Sequence, residues 1–517
     1  MSKRVRTLVI TGVAIVCLVG LLLILLFSGG DNGITNSTST TTNGDDTIED
    51  IYVLNKKDVD DSKKIPAVST VTLRLPDETI SFTANADGDL LMDGYADFIH
   101  DSDATGRLRS SLLQLRATRI IAESTDVPEQ YGFTSEGGVT ATVSATYSDG
   151  SNEAFDIGAA APGNEGYYVR RNTSKTVYLI TESDAARFVK TAFDFLSKAP
   201  ITVPEPENTT DSSITDIVVL RDVELSGSVR PTAIYYQGVL ENTDTASLSA
   251  LSGYVIQRPY YHGVKTDSEF INYTTFVFTA DTIVKLNLTA NDLETYGLDD
   301  PYSAATFRFA VRREKTTTDE EGKESSTFSY YNTFEYTVKL GNKSADGYRY
   351  AAVYSEGKLL PVLYSVKDKT VAWQEVQYTD LVDILLFLMD IKNVGSASFT
   401  VDGTTTDFVF KHSTDSDDAP VLDIYQGSKQ KDTQAFRELY QDLMAIYRIE
   451  GSPEEPTGEA VFSFTFKSNT TSAADVNVTF YKHTASRYIV KHGNGELLYV
   501  RVRDADEVFE AYRDWIS

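Results

Sequence analysis

Cysteine is almost absent from this sequence, which has one, Cys17, in 517 residues. A single cysteine excludes an intrachain disulfide framework and a zinc site built on cysteine ligands. Because Cys17 lies inside the first apolar run of the chain, a cysteine nucleophile is excluded as well. The folded part of the chain must therefore be stabilised by packing alone.

Basic residues are scarce relative to acidic ones. The chain has 47 Lys and Arg against 75 Asp and Glu, which gives a formal net charge of -28. Nucleic-acid binding depends on cationic side chains that neutralise phosphates, so this balance excludes nucleic acid as a partner. It also argues against peripheral attachment of the chain to anionic lipid.

The residue types that perform catalysis are equally sparse. The five histidines show no spacing of the His-x-x-x-His or His-Glu-x-x-His kind: His100, His262, His412, His483 and His492. His483 and His492 could meet across a hairpin, but both end predicted strands, so we interpret them as surface histidines. A Gly-x-Ser-x-Gly elbow and a Walker-type phosphate loop are also absent from the sequence. We predict no catalytic, metal or cofactor-binding residues and no cofactor, and the ligand-binding residues stay unknown at this stage.

Two acidic segments show part of a calcium-loop pattern. The segment NADGDLLMDG (85–94) lacks the distal Glu, so a hairpin turn is the better interpretation. The segment STDSDDAPVLD (413–423) lacks both the Gly and the terminal Glu of an EF-hand loop. A carboxylate pair for glycoside hydrolysis cannot be singled out among so many acidic residues. A hydrolase is therefore the least supported hypothesis.

One long apolar run stands near the start of the chain. Leu8–Phe27 contains twenty residues without a charge, enough for a helix to cross a hydrocarbon core of ~30 Å. Three basic residues precede this run and acidic residues follow it, so the positive-inside rule places residues 1–7 in the cytoplasm. We predict an uncleaved single-pass anchor in the plasma membrane, with a cleaved signal peptide as the alternative. Residues 28–50 are small and polar and predict a flexible linker, with the bulk of the chain extracytoplasmic. The lack of disulfides in such a protein is typical of bacterial or archaeal surface proteins.

The rest of the chain repeats one succession of elements. The stretch EQYGFTSE (129–136) returns as ETYGLDDP (294–301), and each copy is followed by alternating apolar and polar residues that predict strands. A third, divergent copy at the C-terminus lacks the Tyr-Gly pair. The predicted domains are a first α+β unit (51–200), a linker (201–213), a second unit (214–393) and a third unit (394–517). In both Tyr-Gly pairs we expect Gly to permit a turn and the Tyr131 or Tyr296 ring to fill the core beneath it.

Helical periodicity marks five further segments. Apolar stripes predict three of these helices, with the following residues: Leu108, Leu112 and Leu115; Phe436, Leu439, Tyr440, Leu443 and Tyr447; Val508, Tyr512, Trp515 and Ile516. A helix is also predicted in ESDAARFVKTAFDFLSKAP, through Phe188, Val189, Ala192, Phe193 and Leu196, and at the apolar junction DLVDILLFLMDIKN. The predicted fold class is α+β, with a transmembrane helix followed by tandem units of antiparallel sheet packed with amphipathic helices.

The motif Tyr-Gly-Leu-Asp-x-Pro carries a family resemblance, together with its following strands, the segment YVIQRPYY (254–261) and the N-terminal anchor. In these features the chain resembles the DUF4340 family of uncharacterised bacterial proteins. The resemblance implies a membrane-anchored, extracytoplasmic companion of ABC transporters of the gliding-motility type. It implies no catalytic residues.

Three functional hypotheses follow from the sequence. The first is a non-enzymatic interaction or scaffold module, whose partners are the membrane, through Leu8–Phe27, and subunits of an ABC transporter. The second is a cell-envelope glycan or ligand-binding protein that uses its 30 tyrosines, which include four pairs: Tyr167–Tyr168, Tyr235–Tyr236, Tyr260–Tyr261 and Tyr330–Tyr331. Half-buried sheet surface is the structural alternative for these tyrosines. The third hypothesis is a hydrolase.

Overall fold

The computed structural model describes residues 50–57, 64–124, 128–133, 139–238, 253–318, 322, 324–387, 389–416, 419–470 and 474–517. The predicted anchor Leu8–Phe27 and nearly all of the 28–50 linker lie outside these residues. Within the described ranges, no helix combines the length and the apolar character needed to cross a membrane. Tyr52–Ser517 form one compact unit.

Three antiparallel sheets make up most of this unit. In the first sheet eight strands run in the order β4-β3-β2-β7-β8-β9-β10-β6, and β1 pairs with β5 beside it. Their bounds are β1 (Tyr52–Asn55), β2 (Val68–Arg74), β3 (Thr79–Ala84), β4 (Leu90–Met92), β5 (Gln114–Arg116), β6 (Arg119–Ala122), β7 (Ala141–Tyr147), β8 (Asn152–Ala160), β9 (Tyr167–Arg171) and β10 (Val177–Ile180).

The second sheet has ten strands in the order β14-β13-β12-β11-β16-β17-β18-β20-β15, with β19 paired to β18. Their bounds are β11 (Ile214–Ser226), β12 (Ile234–Gly238), β13 (Tyr254–Arg258), β14 (His262–Gly263), β15 (Thr282–Leu286), β16 (Ser303–Thr318), β17 (Glu324–Lys343), β18 (Tyr348–Ser355), β19 (Lys358–Leu359) and β20 (Val362–Lys367).

The third sheet has nine strands in the order β24-β23-β22-β21-β26-β27-β28-β29-β25. Their bounds are β21 (Val394–Val401), β22 (Thr404–Thr414), β23 (Pro420–Gln426), β24 (Lys429–Lys431), β25 (Arg448–Ile449), β26 (Ala460–Ser468), β27 (Val476–Lys482), β28 (Arg487–His492) and β29 (Leu497–Arg501).

The three sheets share one strand order. Each sheet is built from two successive groups of strands along the chain. The first strand of the first group (β2, β11 or β21) lies beside the first strand of the second group (β7, β16 or β26). The strand that comes between the two groups in the chain (β6, β15 or β25) lies at the edge of the sheet, next to the last strand of the second group. The prediction of an α+β fold with antiparallel sheets is therefore confirmed, and the fold is mostly sheet with few helices.

Each sheet has one apolar face and one polar face, as the alternating sequence predicts. In β7 the residues Ala141, Val143, Ala145 and Tyr147 are buried, and in β16 the same holds for Ala305, Phe307, Phe309 and Val311. Hydroxyl pairs link neighbouring strands on the polar face: Thr70–Thr146 at 2.6 Å, Thr306–Thr337 at 2.7 Å and Thr400–Thr405 at 2.8 Å. The cores consequently lie on the opposite face.

Six α-helices accompany the sheets in the described residues: α1 (Ser102–Leu113), α2 (Glu182–Ala185), α3 (Ala290–Thr295), α4 (Tyr378–Leu381), α5 (Thr433–Met444) and α6 (Val502–Ile516). Short 3-10 helices span Pro128–Tyr131, Pro162–Asn164, Ala192–Phe195, Glu269–Ile271, Tyr273–Phe276 and Ile391–Asn393. The helices α5 and α6 cover the apolar face of the third sheet, where the Phe509 ring stacks on Phe462 with centroids 4.2 Å apart. The three helices predicted from apolar stripes are present, but the first ends at Leu113, so Leu115 of its predicted stripe lies in β5.

The helix predicted across ESDAARFVKTAFDFLSKAP is wrong. The helix α2 ends at Ala185, and a separate 3-10 helix starts after Thr191. Thr191 and Asp194 each bind the other's backbone N–H, and such local bonds compete with a continuous helix. Phe195 is buried in place of Phe193, which is 40% exposed. Tyr447 is likewise exposed, at 47%, because α5 ends three residues earlier.

The junction between the second and third sheets is also not the predicted helix. Of residues 378–387 and 389–393, which the structure describes, only Tyr378–Leu381 and Ile391–Asn393 are helical, and the Asp383 carboxylate accepts a bond from the Leu385 N–H at 2.9 Å between them. Leu386 and Phe387 insert into the core of the third sheet. The apolar run reads as a helix from sequence, but here it supplies core residues to the sheet that follows.

Both Tyr-Gly pairs end a helical turn. Gly132 (φ +80°) donates to Glu129 O at 3.0 Å, and Phe133 donates to Pro128 O at 3.1 Å. Gly297 (φ +67°) donates to Glu294 O at 3.1 Å, and Leu298 donates to Leu293 O at 2.7 Å. These two bonds define a Schellman motif, in which Gly takes the left-handed position after the helix.

The residue after each glycine is the more deeply buried member of each turn. Phe133 and Leu298 are 5% and 0% exposed, whereas Tyr131 and Tyr296 are half-buried. The tyrosine rings pack at the surface, against Tyr168 and Tyr350. The predicted turn is confirmed. The predicted core role holds in part for Tyr296, whose half-buried ring packs against the core cluster of Leu288, Leu298, Ala352 and Leu363.

Candidate functional site

A cavity of about 320 Å³ lies where the second and third sheets meet. Its walls include His262 next to Tyr261, Asp383 and Phe387 of the junction, and Asn477 and His492 of the third sheet. Its volume is at the small end of the range typical of small-molecule sites. We therefore take this junction cavity as the candidate functional site.

Short backbone pairings place His262 and Asp383 on the wall. His262 pairs with Ile256 as β14 adds to the edge of the second sheet. The Asp383 N–H donates to Gly263 O at 3.1 Å, directly after the bridge between Val264 and Val382. The junction segment thus holds both side chains at one edge.

A tight hairpin places His492. Residues 493–496 join β28 to β29, and the His492 N–H donates to Glu496 O at 2.9 Å, which closes a three-residue turn of Gly493, Asn494 and Gly495, with Gly495 at φ +89°. A three-residue hairpin loop requires this left-handed position, which glycine adopts without strain. The Asn494 amide also donates to Tyr261 O at 3.2 Å, which joins the hairpin to the second sheet.

The two imidazole rings face each other across the cavity wall. Their centroids are 6.5 Å apart and their planes lie at 70°. His262 is 7% exposed, and His492 is partly exposed with its Nε2 shielded from solvent. Within the described residues, neither Nε2 has a hydrogen-bond partner.

The tautomer of His262 follows from its neighbour. Its Nδ1 lies 3.3 Å from Gly263 O, and because a carbonyl oxygen only accepts, this contact is a hydrogen bond in the tautomer that carries the hydrogen on Nδ1. The Nε2 of the neutral ring is then an acceptor. A group that binds it must bring a hydroxyl or N–H donor.

Both histidines are neutral at pH 7. Burial lowers the pKa of His492 to about 4, although the negative charge of Glu496 acts in the opposite direction. Burial also lowers the pKa of His262, again opposed by Glu496 and, more weakly, by Asp383. The cavity therefore presents uncharged imidazoles.

A buried polar group lies beside the cavity. The Glu496 carboxylate, 1% exposed, accepts from the Tyr378 hydroxyl at 2.9 Å and from the Arg448 guanidinium at 2.6 Å. Its other oxygen has no partner among the described residues. Burial raises the pKa of the Tyr378 hydroxyl. These three side chains tie the start of α4 to the third sheet.

The groups in the cavity are suited to binding. Asn477 accepts from the Thr465 hydroxyl at 2.8 Å through Oδ1, which leaves its amide nitrogen as a donor. Phe387 and Leu386 supply apolar surface. In the part of the chain that the structure describes, no group of three or more His, Cys, Asp or Glu side chains could hold a metal ion.

The predicted surface exposure of the histidines holds for His483 and not for His492. His483 is exposed, as predicted, but the interpretation of His492 as a surface histidine is wrong. Its partner in space is His262 and not His483. Neither residue could be found from spacing, because 230 positions separate them and the contact depends on how two sheets pack.

The tyrosine pairs are distributed over several environments. Tyr236 is buried and donates to Phe270 O at 2.6 Å, and the Tyr331 hydroxyl donates to Asp216 at 2.7 Å. Tyr330 is 36% exposed. Tyr261 lines the junction cavity. The pairs do not form one aromatic surface, and one pair contributes to the candidate site.

The fold and the cavity define a sheet-rich α+β protein with a small-molecule-sized site between two antiparallel sheets. Residues 91–225 match the family model described as a domain of unknown function, DUF4340. This match confirms the family resemblance and runs from β4 to β11, so the junction cavity lies outside it. No curated protein matches the chain, and no solved structure matches it.

Proposed function

We propose that this chain is a non-enzymatic binding module that takes a hydroxyl-bearing ligand, such as a sugar unit of an envelope glycan, in the junction cavity. The observation that carries the proposal is the Nε2 of His262, a buried acceptor with no partner among the described residues. An unpaired polar atom in a protein interior costs free energy. A ligand hydroxyl at this position would remove that cost.

The rest of the cavity complements such a ligand. The Asp383 carboxylate is a further acceptor, the Asn477 amide nitrogen is a donor, and the Phe387 ring offers an apolar surface for the carbon face of a sugar. A volume of about 320 Å³ accommodates a group of monosaccharide size.

We further propose that Leu8–Phe27 anchors the chain in the plasma membrane, with the tandem repeated units on the extracytoplasmic side. In this arrangement the chain acts as a scaffold in an ABC-transporter complex of the gliding-motility type. The apolar run and its flanking charges support the anchor, and the DUF4340 match supports the family from which the transporter link comes.

Calorimetric titration with monosaccharides and soluble glycan oligomers tests the ligand proposal. We expect His262→Leu to weaken binding by about tenfold or more, because a site built to pair a hydroxyl loses its acceptor. His483→Leu, at an exposed histidine, is the matched control and should leave the affinity unchanged. Equal affinities for the wild type and His262→Leu would contradict the proposal.

Crosslinking in intact membranes tests the transporter proposal separately. The full chain, solubilised in detergent after crosslinking, should bring down ABC-transporter subunits. Recovery of the chain without any such subunit would reject the transporter role and leave the ligand proposal standing.

A further inference from the structure

A second, larger basin lies on the third sheet. It shares no lining residue with the junction cavity. Its volume is about 1010 Å³, and it is bounded by Arg448–Glu450, residues 485–487 and residues 501–503. Four of the nine lining residues are arginines, and Glu450 is the one carboxylate among them. This is unusual in a chain with a formal net charge of -28.

Two of the arginines are held together without neutralisation. Arg487 and Arg501 are directly opposed partners in the β28–β29 pair. Like charges at directly opposed positions destabilise a sheet. Among the described residues, the ion pairs of this region join Arg448 to Glu496 and Arg503 to Asp504, and none involves Arg487 or Arg501. The Arg487 guanidinium lies over the Tyr499 ring at 5.3 Å, which holds it at the surface of the sheet.

Two further features add positive potential to the same basin. The helix α6 starts at Val502, and its N-cap residue, Arg501, makes no side-chain capping bond. A helix start carries partial positive charge; here the Val502 N–H donates to Ser486 O at 3.1 Å and Asp504 lies in the first turn. Arg448, 11% exposed, also lines the basin, and its Nε is buried without a hydrogen-bond partner.

We propose that this arginine basin binds a phosphate group, carried by an extended anion such as a polyphosphate or a phosphodiester. A guanidinium donates in a fork that matches two oxygens of one anion. Two opposed guanidinium groups donate more hydrogen bonds than one carboxylate has oxygens to accept, whereas two adjacent phosphate groups of an extended anion supply four or more non-bridging oxygens. The basin is far larger than a single phosphate, so the anion extends beyond the group that the arginines hold.

Titration of the full chain with sodium tripolyphosphate at low salt tests the proposal. We expect binding that weakens as NaCl is added, and a loss of about tenfold or more in affinity for Arg487→Gln/Arg501→Gln. The matched control is Arg107→Gln/Arg119→Gln, which changes the net charge equally at two arginines of the first sheet and its helix. Absence of tripolyphosphate binding by the wild type, or an equal loss in both double variants, would overturn the proposal.

Two further measurements test the same proposal if the glutamine variant does not fold. Arg487→Lys/Arg501→Lys retains the charge and loses the fork, so it should bind with intermediate affinity. Hydrogen exchange of the wild type should show protection by tripolyphosphate at residues 484–487 and 501–504. Protection confined to other segments would reject this basin as the site.

The source of the phosphate is decided by parallel probes. Inorganic phosphate, tripolyphosphate and vesicles of phosphatidylcholine with phosphatidylglycerol present the group as a free ion, a soluble polymer and a lipid headgroup. Because the basin is larger than one phosphate, we expect tripolyphosphate to bind more tightly than inorganic phosphate. Vesicle binding that depends on Arg487 and Arg501, without tripolyphosphate binding, would overturn the assignment to a soluble anion.

Discussion

At the scale of single residues, His492 gives the stability of the chain a pH dependence. Burial lowers its pKa from an ordinary 6.5 to about 4 in the folded chain. Above pH 6.5 both the folded and the unfolded chain keep the ring neutral. Between pH 6.5 and 4 only the unfolded chain takes up the proton, so the free energy of unfolding falls by up to about 3 kcal/mol as the pH falls.

Urea unfolding of wild type and His492→Gln at about pH 7 and about pH 4.5 measures this contribution. The variant should lose less stability than the wild type over the interval, because glutamine does not titrate. His483→Gln, at an exposed ring, should keep the wild-type slope. Identical slopes for the wild type and His492→Gln would show that His492 is not the group responsible.

Gly158 and Gly341 are positions where the fold leaves no room for a side chain. A Cβ built on them would lie 2.1 Å from Tyr131 O and 2.2 Å from Tyr296 O. These are equivalent contacts, in which a strand passes directly beneath the Schellman turn of its own unit. Only glycine leaves room for this approach.

We expect Gly341→Ala to lower the free energy of unfolding by about 1–3 kcal/mol or more, because the added methyl overlaps backbone atoms. Gly106→Ala is the matched control, since nothing lies within 4 Å of the added Cβ in the helix α1. The control should be neutral or stabilising by up to about 1 kcal/mol. Denaturant midpoints distinguish the two, and equal effects would contradict the close approach.

At the scale of elements, neighbouring residues of the repeated Tyr-Gly turn contribute unequally to the stability of the fold. Phe133→Ala should cost about 3–5 kcal/mol, because its ring is 5% exposed. Tyr131→Ala should cost less, since its half-buried ring contacts Tyr168 near the surface. Thermal melting of the two variants tests this order. A larger loss of stability for Tyr131→Ala than for Phe133→Ala would show that the tyrosine ring is the main core residue of this turn.

Elements with strict periodicity could be predicted from the sequence, and elements set by local hydrogen bonds could not. The alternation in β7 and β16 and the stripe of α5 up to Leu443 match the buried residues. The failed helices at 182–200 and 380–393 contain apolar residues at helical spacing, but Thr191 and Asp383 bind nearby backbone N–H groups. Periodicity describes which residues are apolar and does not describe such competing bonds.

At the scale of the whole molecule, the predicted boundary at 393/394 separates core residues from their sheet. Leu386, Phe387 and Met389 belong to the core of the third sheet, and Phe387 lies 5.4 Å from Phe464 between ring centroids. A fragment that starts at Asp383 should therefore resist urea more strongly than one that starts at Val394. The loss of one buried Phe alone costs about 3–5 kcal/mol. Equal midpoints for the two fragments would support the boundary drawn from the sequence.

The α+β architecture of the molecule follows from repetition that the sequence already displays, and the candidate site does not. The sheet-rich α+β architecture could be read from three similar successions of strands. The junction cavity depends on how the second sheet meets the third, which brings His262 against His492. No periodicity or motif within one unit encodes a contact between two units.

The three-residue hairpin Gly493–Gly495 also has a thermodynamic consequence. His492 at its start lines the cavity, and Glu496 at its end holds Arg448, which lines the arginine basin. The two ends are coupled by charge, because, beside the larger effect of burial, the negative charge of Glu496 raises the pKa of His492 and the positive charge of Arg448 lowers it. Linkage then requires that proton uptake by His492 and anion binding beside Arg448 alter each other's affinity by the same factor. A pH dependence of tripolyphosphate affinity that His492→Gln abolishes would make this hairpin an allosteric connection between the two sites.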